Sequence, residues 1–120
     1  IMVRYLPFFA SLAAATNLYA THYDGEVYTL SLEDNSLSIT SSSKTCGTHP
    51  SWLTFDSSTR TIYCSDHAGN SSMNGLLTSY SVNQDGSMTE LTSTVDVGAA
   101  VHSIIFGGKD GREKYLAIAH

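Results

Sequence analysis

The stretch CGTHPSWLTFDSSTRTIYCSD, residues 46–66, returns in degraded form as VHSIIFGGKDGREKYLAIAH at residues 101–120. Placing Ser51 on Ser103 and Tyr63 on Leu116 gives offsets of 52 and 53 residues. A repeat of about that length marks an array of supersecondary units, none of which can bury its faces alone, and periods of roughly 40 to 50 residues are typical of propeller blades. The chain is therefore expected to be a tandem assembly whose function sits where the repeats meet. With 120 residues it holds only about two periods, so the sequence is expected to be a fragment of a larger array.

From Asn17 onward there is no helical period. Short runs of Val, Ile, Leu, Tyr and Thr alternate with clusters of Gly, Asp, Asn and Ser. The runs predict nine strands, at 18–23, 26–32, 36–41, 51–55, 61–66, 76–82, 88–94, 102–106 and 114–119. The fold class is all-β. A second internal alignment gives the order: Leu18-Tyr19-Ala20 matches Ile62-Tyr63-Cys64, Gly25 matches Gly75, and Asn35-Ser36-Leu37 matches Gly86-Ser87-Met88. The QDGS segment at 84–87 reads as a hairpin turn in which Gly86 supplies positive φ. The unit is thus a four-stranded antiparallel meander, with strands A to D. Residues 51–94 make one complete blade, preceded by B, C and D of another and followed by A and B of a third, so the chain is a β-propeller fragment of two to two and a half blades. A half-made blade leaves an unpaired edge, and remaining blades are required to close the fold.

In such a meander the start of A and the end of B lie on one rim. All five histidines fall there: His49 and His102 at starts of A, and His22, His67 and His120 at ends of B. His67 and His120 share a repeat position that Tyr23 holds in the first blade, and Asp66 sits beside His67. Arg60, Lys109, Arg112 and Lys114 belong to A-to-B turns on the opposite rim, where Asp56 and Asp110 look structural. Histidine is the side chain most readily used for proton transfer near neutral pH. His102 is the foremost candidate acid–base group, with Asp66 and His67 as further catalytic candidates and His49, His22, Tyr23 and His120 as substrate-binding candidates. No H-E-x-x-H or H-x-H pattern prearranges metal ligands, and no metal is expected. Trp52 on strand A is expected to pack within the blade.

The formal net charge of −5, with only six Lys and Arg, excludes a nucleic-acid surface. Cys46 and Cys64 match neither a zinc spacing nor a C-x-x-C pair. In the expected hairpin the residue facing Cys64 is near Trp52, so a Cys46–Cys64 bridge is not expected. Residues 1–15, IMVRYLPFFASLAAA, combine one positive charge at Arg4, an apolar run of about ten residues and small residues at Ala13 and Ala15. That is a short signal-peptide pattern, too short to span a bilayer, with the mature domain from residue 16. Secretion or a cell-wall location is the expectation and a cytoplasmic one, with the segment buried, the alternative. Asn70-Ser71-Ser72 is a glycosylation sequon.

HPSWLTF (49–55), TIYCSDH (61–67), GLLTSYSVNQDGSMTEL (75–91) and VHSIIFGG (101–108) ahead of YLAIAH (115–120) resemble the seven-bladed β-propeller lactonases. That family includes the bacterial-type 6-phosphogluconolactonases and the fungal carboxymuconate cyclases. The resemblance spans residues 17–120 and implies a metal-independent site without cofactor, in the central cleft, opening or closing a lactone or acting on a related carboxylate. It places His102 on the family's histidine at the start of a strand A. Where the family commonly has Glu after Asp, this chain has His67 after Asp66. The arginines that would hold an anionic substrate are expected from blades beyond His120. The alternative function is a secreted or cell-wall glycoprotein propeller that binds a partner without catalysis.

Overall fold

Period-2 patterning in a chain without helical runs should give sheets, and the computed structural model, which describes residues 15–68 and 72–120, is built of nine strands and one short 3-10 turn at Lys109–Gly111. The strands are β1 (Thr16–Thr21), β2 (Val27–Glu33), β3 (Ser36–Ser43), β4 (Pro50–Asp56), β5 (Thr61–Asp66), β6 (Asn74–Val82), β7 (Met88–Val97), β8 (His102–Gly107) and β9 (Lys114–Ala119). They form three antiparallel sheets ordered β1-β2-β3, β4-β5-β6-β7 and β8-β9. This is the expected arrangement of one complete blade between B-C-D and A-B neighbours. All of the expected leader except Ala15, and Asn70 of the sequon, lie outside the described residues. Among the described residues no helix is long and apolar enough to cross a membrane.

The turns explain the register. Gly86 has φ +86 and Asn35, at the matching repeat position, has φ +66; Asn is the residue that best tolerates the left-handed region after Gly. Several strand boundaries differ from the sequence reading, β3 and β7 running on to Ser43 and Val97 and β6 starting at Asn74, and one of them bears on the rim. β1 ends at Thr21 rather than running through Tyr23, because His22 to Glu26 close a turn in which the His22 N–H donates to Glu26 O at 2.9 Å and the Gly25 N–H to His22 O at 3.1 Å. Tyr23 is thereby released from the sheet and projects at the rim.

Packing is between sheet faces. Register puts Tyr19, Val27 and Thr29 on one face of the first sheet, where Val27 joins Ile62, Cys64, Tyr80 and Val82 of the middle sheet in the core. Fully burying an Ile or Val side chain contributes roughly 1.5–3 kcal/mol, so this interface fixes the first two sheets together. Leu18, Leu30, Leu32, Leu37 and Ile39 occupy the opposite face of the first sheet, where Leu37 and Ile39 are exposed. Ile104, Phe106 and Tyr115 are likewise exposed on the third sheet. The stack ends in an apolar face on each side.

The segment crossing from β3 to β4 overturns one expectation. Cys46 and Cys64 are disulfide-bonded, with Cα atoms 6.0 Å apart. The expectation of separate thiols compared Cys64 with its hairpin partners, and that partner is Leu53. Cys46 is not in the hairpin at all: it comes down on β5 from the crossover lying over the sheet. Beside it, Thr45 shares a hydrogen bond with the Tyr80 hydroxyl (2.8 Å), and its carbonyl accepts one from Thr78 Oγ1 (3.0 Å).

The second and third sheets are joined through β4 and β8. Ser51 Oγ donates to Ala100 O at 2.6 Å and Thr54 Oγ1 to Ser103 O at 2.8 Å. At the opposite rim Lys114 Nζ donates to Asp56 Oδ2 at 2.6 Å and to Ser58 Oγ. The Lys114 ammonium, then the Ser58 hydroxyl, hold the Asp56 carboxyl well below the usual carboxylate range.

Two outcomes are expected. Replacing Cys46 and Cys64 together by Ser, which opens a loop of 18 residues' separation, lowers the unfolding free energy by about 3 kcal/mol in chemical denaturation. Lys114→Met lowers Tm at neutral pH. Because the folded-state pKa of Asp56 is depressed, its contribution is present above about pH 4 and fades as pH falls from about 4 towards 2, so the wild-type and Lys114→Met melting curves converge in acid.

Candidate functional site

Antiparallel pairing carries every A start and B end to the same edge of the stack, and the described structure places all five histidines there. His102 opens β8, His49 precedes β4, and His22, His67 and His120 follow β1, β5 and β9. They do not form one cluster.

Tyr23, His49 and His67 come together. The Tyr23 ring lies 6.0 Å from His49 in an edge-on arrangement and 6.1 Å from His67 in a stacked one. The His67 N–H donates to His49 O at 2.9 Å, which extends the β4–β5 pairing by one step beyond Pro50 and Asp66. His49 Nδ1 is 2.9 Å from Thr48 Oγ1.

Asp66 underlies this group. Its side chain is buried, and Oδ1 accepts the N–H of His49 at 2.8 Å and of Ala68 at 3.0 Å. A carboxylate accepting backbone amides is a fixed point of the fold, so the structure gives Asp66 a shaping role at the rim. Gly47 makes room for it: a Cβ there would lie 2.1 Å from Asp66 Oδ2, and its φ is +84.

The remaining candidates stand apart. His22 is turned to Asp24, whose Oδ1 lies 3.2 Å from its Nδ1. The Glu26 N–H, and then His22, draw the Asp24 carboxyl below its usual range against the opposing effect of desolvation. His120 Nδ1 donates to Gly98 O at 3.3 Å, and Nε2 is 3.8 Å from Asp96 Oδ1. His102 meets Trp52, with ring centroids 4.4 Å apart and planes tilted by 49°. Trp52 therefore reaches across to the next sheet instead of packing only within its own.

Two grooves sharing Thr21 and Ser51 run between β1 and β4. One, of about 370 Å³, is lined by Thr21, His22, Tyr23, Pro50 and Ser51, and the other, of about 290 Å³, by Tyr19, Ala20, Thr21, Ser51, Trp52 and Leu53. They follow the unpaired inner edge of β1, where the middle sheet has a further strand. A larger cavity, about 690 Å³, opens on the opposite rim beside Lys109, Arg112 and Tyr115, remote from the histidines.

A cation on the histidine rim escaped the sequence reading. Lys44 Nζ lies 3.4 Å from Glu26 Oε1 and its side chain is 65% exposed. Its place in the connection from β3 to β4 assigns it to this rim by the same strand polarity that places the histidines. Among the described residues no group of three or more His, Cys, Asp or Glu is arranged to hold a metal ion.

The chain forms three antiparallel sheets whose strands repeat along the sequence. The model of the family described as lactonase, 7-bladed beta-propeller, matches residues 17–120. The chain belongs to this lactonase propeller family. Comparison with curated proteins and with solved structures gives no match. Within the lactonase framework, β4 and β8 are inner strands of successive blades, and the family implies a small-molecule substrate.

Gly47 and Gly25 provide a contrast. Both have positive φ, but a Cβ at Gly25 would meet Gly47 O at 3.5 Å and Thr48 O at 3.8 Å, both ordinary contacts. Gly25→Ala is expected to cost about 1–2 kcal/mol from backbone conformation alone. Gly47→Ala, which also displaces the buried Asp66 carboxylate, should cost about 2 kcal/mol more, as read by denaturant titration of the two variants.

Proposed function

We propose that the chain supplies the histidine-bearing side of a cleft that opens or closes a lactone ring, with His102 as general acid–base. The observation carrying this reading is the position of His102: it opens an inner strand of a lactonase-family propeller, with its ring against Trp52 of the adjacent inner strand. In the hydrolytic direction His102 takes a proton from water as the water oxygen bonds to the acyl carbon. The ring C–O bond then breaks and the proton passes to the departing alkoxide, giving a hydroxy acid. In the cyclising direction a carboxylate oxygen adds to an alkene carbon and His102 delivers a proton to the adjacent carbon. Positioned proton transfer of this kind contributes about 10²- to 10⁴-fold.

Further blades complete the cleft in this reading, and with them come a carboxylate and the arginines for an anionic substrate. The unpaired inner edge of β1 and the two outward apolar faces support it. Export from the cytoplasm is supported by the signal-like residues 1–15 and by the disulfide, since such bonds persist in oxidising compartments.

The second reading, a secreted or cell-wall propeller that binds without catalysis, is favoured by one observation. Asp66, the acidic residue next to His67, commits its Oδ1 to two backbone amides. The full-length protein separates the two. Under the enzymatic reading it turns over phosphogluconolactone or a carboxymuconate, and His102→Gln reduces kcat/KM at least about 100-fold. Unchanged turnover in that variant removes His102 from the mechanism; wild-type protein inert to both substrates but retained on a cell-wall ligand supports the binding module.

A further inference from the structure

Trp52 is the single tryptophan of the chain and is 39% exposed. Its ring sits closer to His102, at 4.4 Å between centroids, than the rings of Tyr23 and His49 (6.0 Å), Tyr23 and His67 (6.1 Å) or Phe106 and Tyr115 (5.4 Å). The contact joins two blades, and the backbone on both sides is pinned. Ser51 Oγ donates to Ala100 O, two residues before His102, and Thr54 Oγ1 donates to Ser103 O, one residue after it. The Val101 N–H donates to Ala119 O at 2.9 Å, holding β8 on β9. Trp52 lies between Ser51 and Thr54, on the face of β4 that Thr54 turns to Ser103.

His102 needs such a restraint. It is the first residue of its strand and is exposed, so its own sheet leaves the imidazole free to change rotamer. A general acid–base must stay within hydrogen-bond reach of the proton it moves, and a misplacement of about 1 Å can cost about 100-fold in rate. The indole supplies a broad rigid surface with only two rotatable bonds of its own.

We propose that Trp52 is the positioning residue for His102, holding the imidazole in its working orientation through a ring contact made across the boundary between two blades. This rests on the acid–base role proposed for His102. It makes the working geometry a property of two neighbouring blades jointly: the histidine comes from one and its orientation from the other.

The test is a double-mutant cycle on lactone turnover by the full-length protein, using whichever of phosphogluconolactone or carboxymuconate the wild type accepts. Trp52→Leu should lower kcat about 10- to 100-fold with KM changed less than about threefold, and Trp52→Phe, which keeps a ring face, should recover most of the loss. In the His102→Gln background Trp52→Leu should cost almost nothing more, because the residue acts through the imidazole. Full activity in Trp52→Leu overturns the inference, and so does a loss that simply adds to that of His102→Gln, which would mark a role in folding alone. An active His102→Gln enzyme instead overturns the acid–base reading beneath it. Fluorescence gives a readout that does not depend on Trp52→Leu folding. Emission assigned to Trp52, taken as the difference between a protein and its Trp52→Phe counterpart, should differ between wild type and His102→Gln. Identical emission overturns the contact.

Discussion

Residues 44–49 leave the outer strand of one blade and must arrive at the inner strand of the next, and the rim depends on how that path is held. Three fastenings do it. Cys46 is bonded to Cys64 in the middle of β5, Thr45 is tied to Tyr80 and Thr78, and the His49 N–H is bound by the buried Asp66 carboxylate. All three attach the crossover to the middle sheet, so the loop moves with that blade. Gly47 permits the closest approach, since any side chain there would occupy the space of the Asp66 carboxylate. The position of His49 beside His67 and Tyr23 follows from these contacts.

The two rims use their polar groups differently. On the rim opposite the histidines, Lys114 is committed to Asp56, and Arg60 donates to Val82 O and Asn83 O. These cations close turns and join blades. On the histidine rim His49 and His67 meet Tyr23, His102 meets Trp52, and Tyr23 is 59% exposed. Strand direction gathers the histidines at one end, together with the Lys44–Glu26 pair and Asp24, and puts the Lys114–Asp56 pair and Arg60 at the other.

The nine strands and their grouping were legible because each is short, alternating and bounded by Gly, Asn, Asp or Ser, and because the two internal alignments fixed which strand repeats which. The matching left-handed φ of Asn35 and Gly86 shows that the alignment captured backbone conformation as well as residue type. The histidine rim was legible for the same reason, since strand polarity alone decides it. What the sequence hid depends on segments leaving the sheet. The disulfide was missed because Cys46 lies in a crossover whose path over β5 no period encodes. The Trp52–His102 contact was missed because it joins residues fifty positions apart on neighbouring blades, where repeat matching gives equivalence but not proximity. Tyr23 was placed at a strand end, whereas the turn from His22 to Glu26 frees it to reach both His49 and His67.

The covalent bond between Cys46 and Cys64 encloses all of β4 and the turn that leads into β5. Arg60, exposed in that turn with φ +53, is the sort of basic site that extracellular peptidases cut. A nick there would sever the main chain without freeing either product: the piece ending in the turn would stay linked through Cys46, and β4 would remain paired along β5. The strand that carries Trp52 would thus keep its place after a break in its own hairpin.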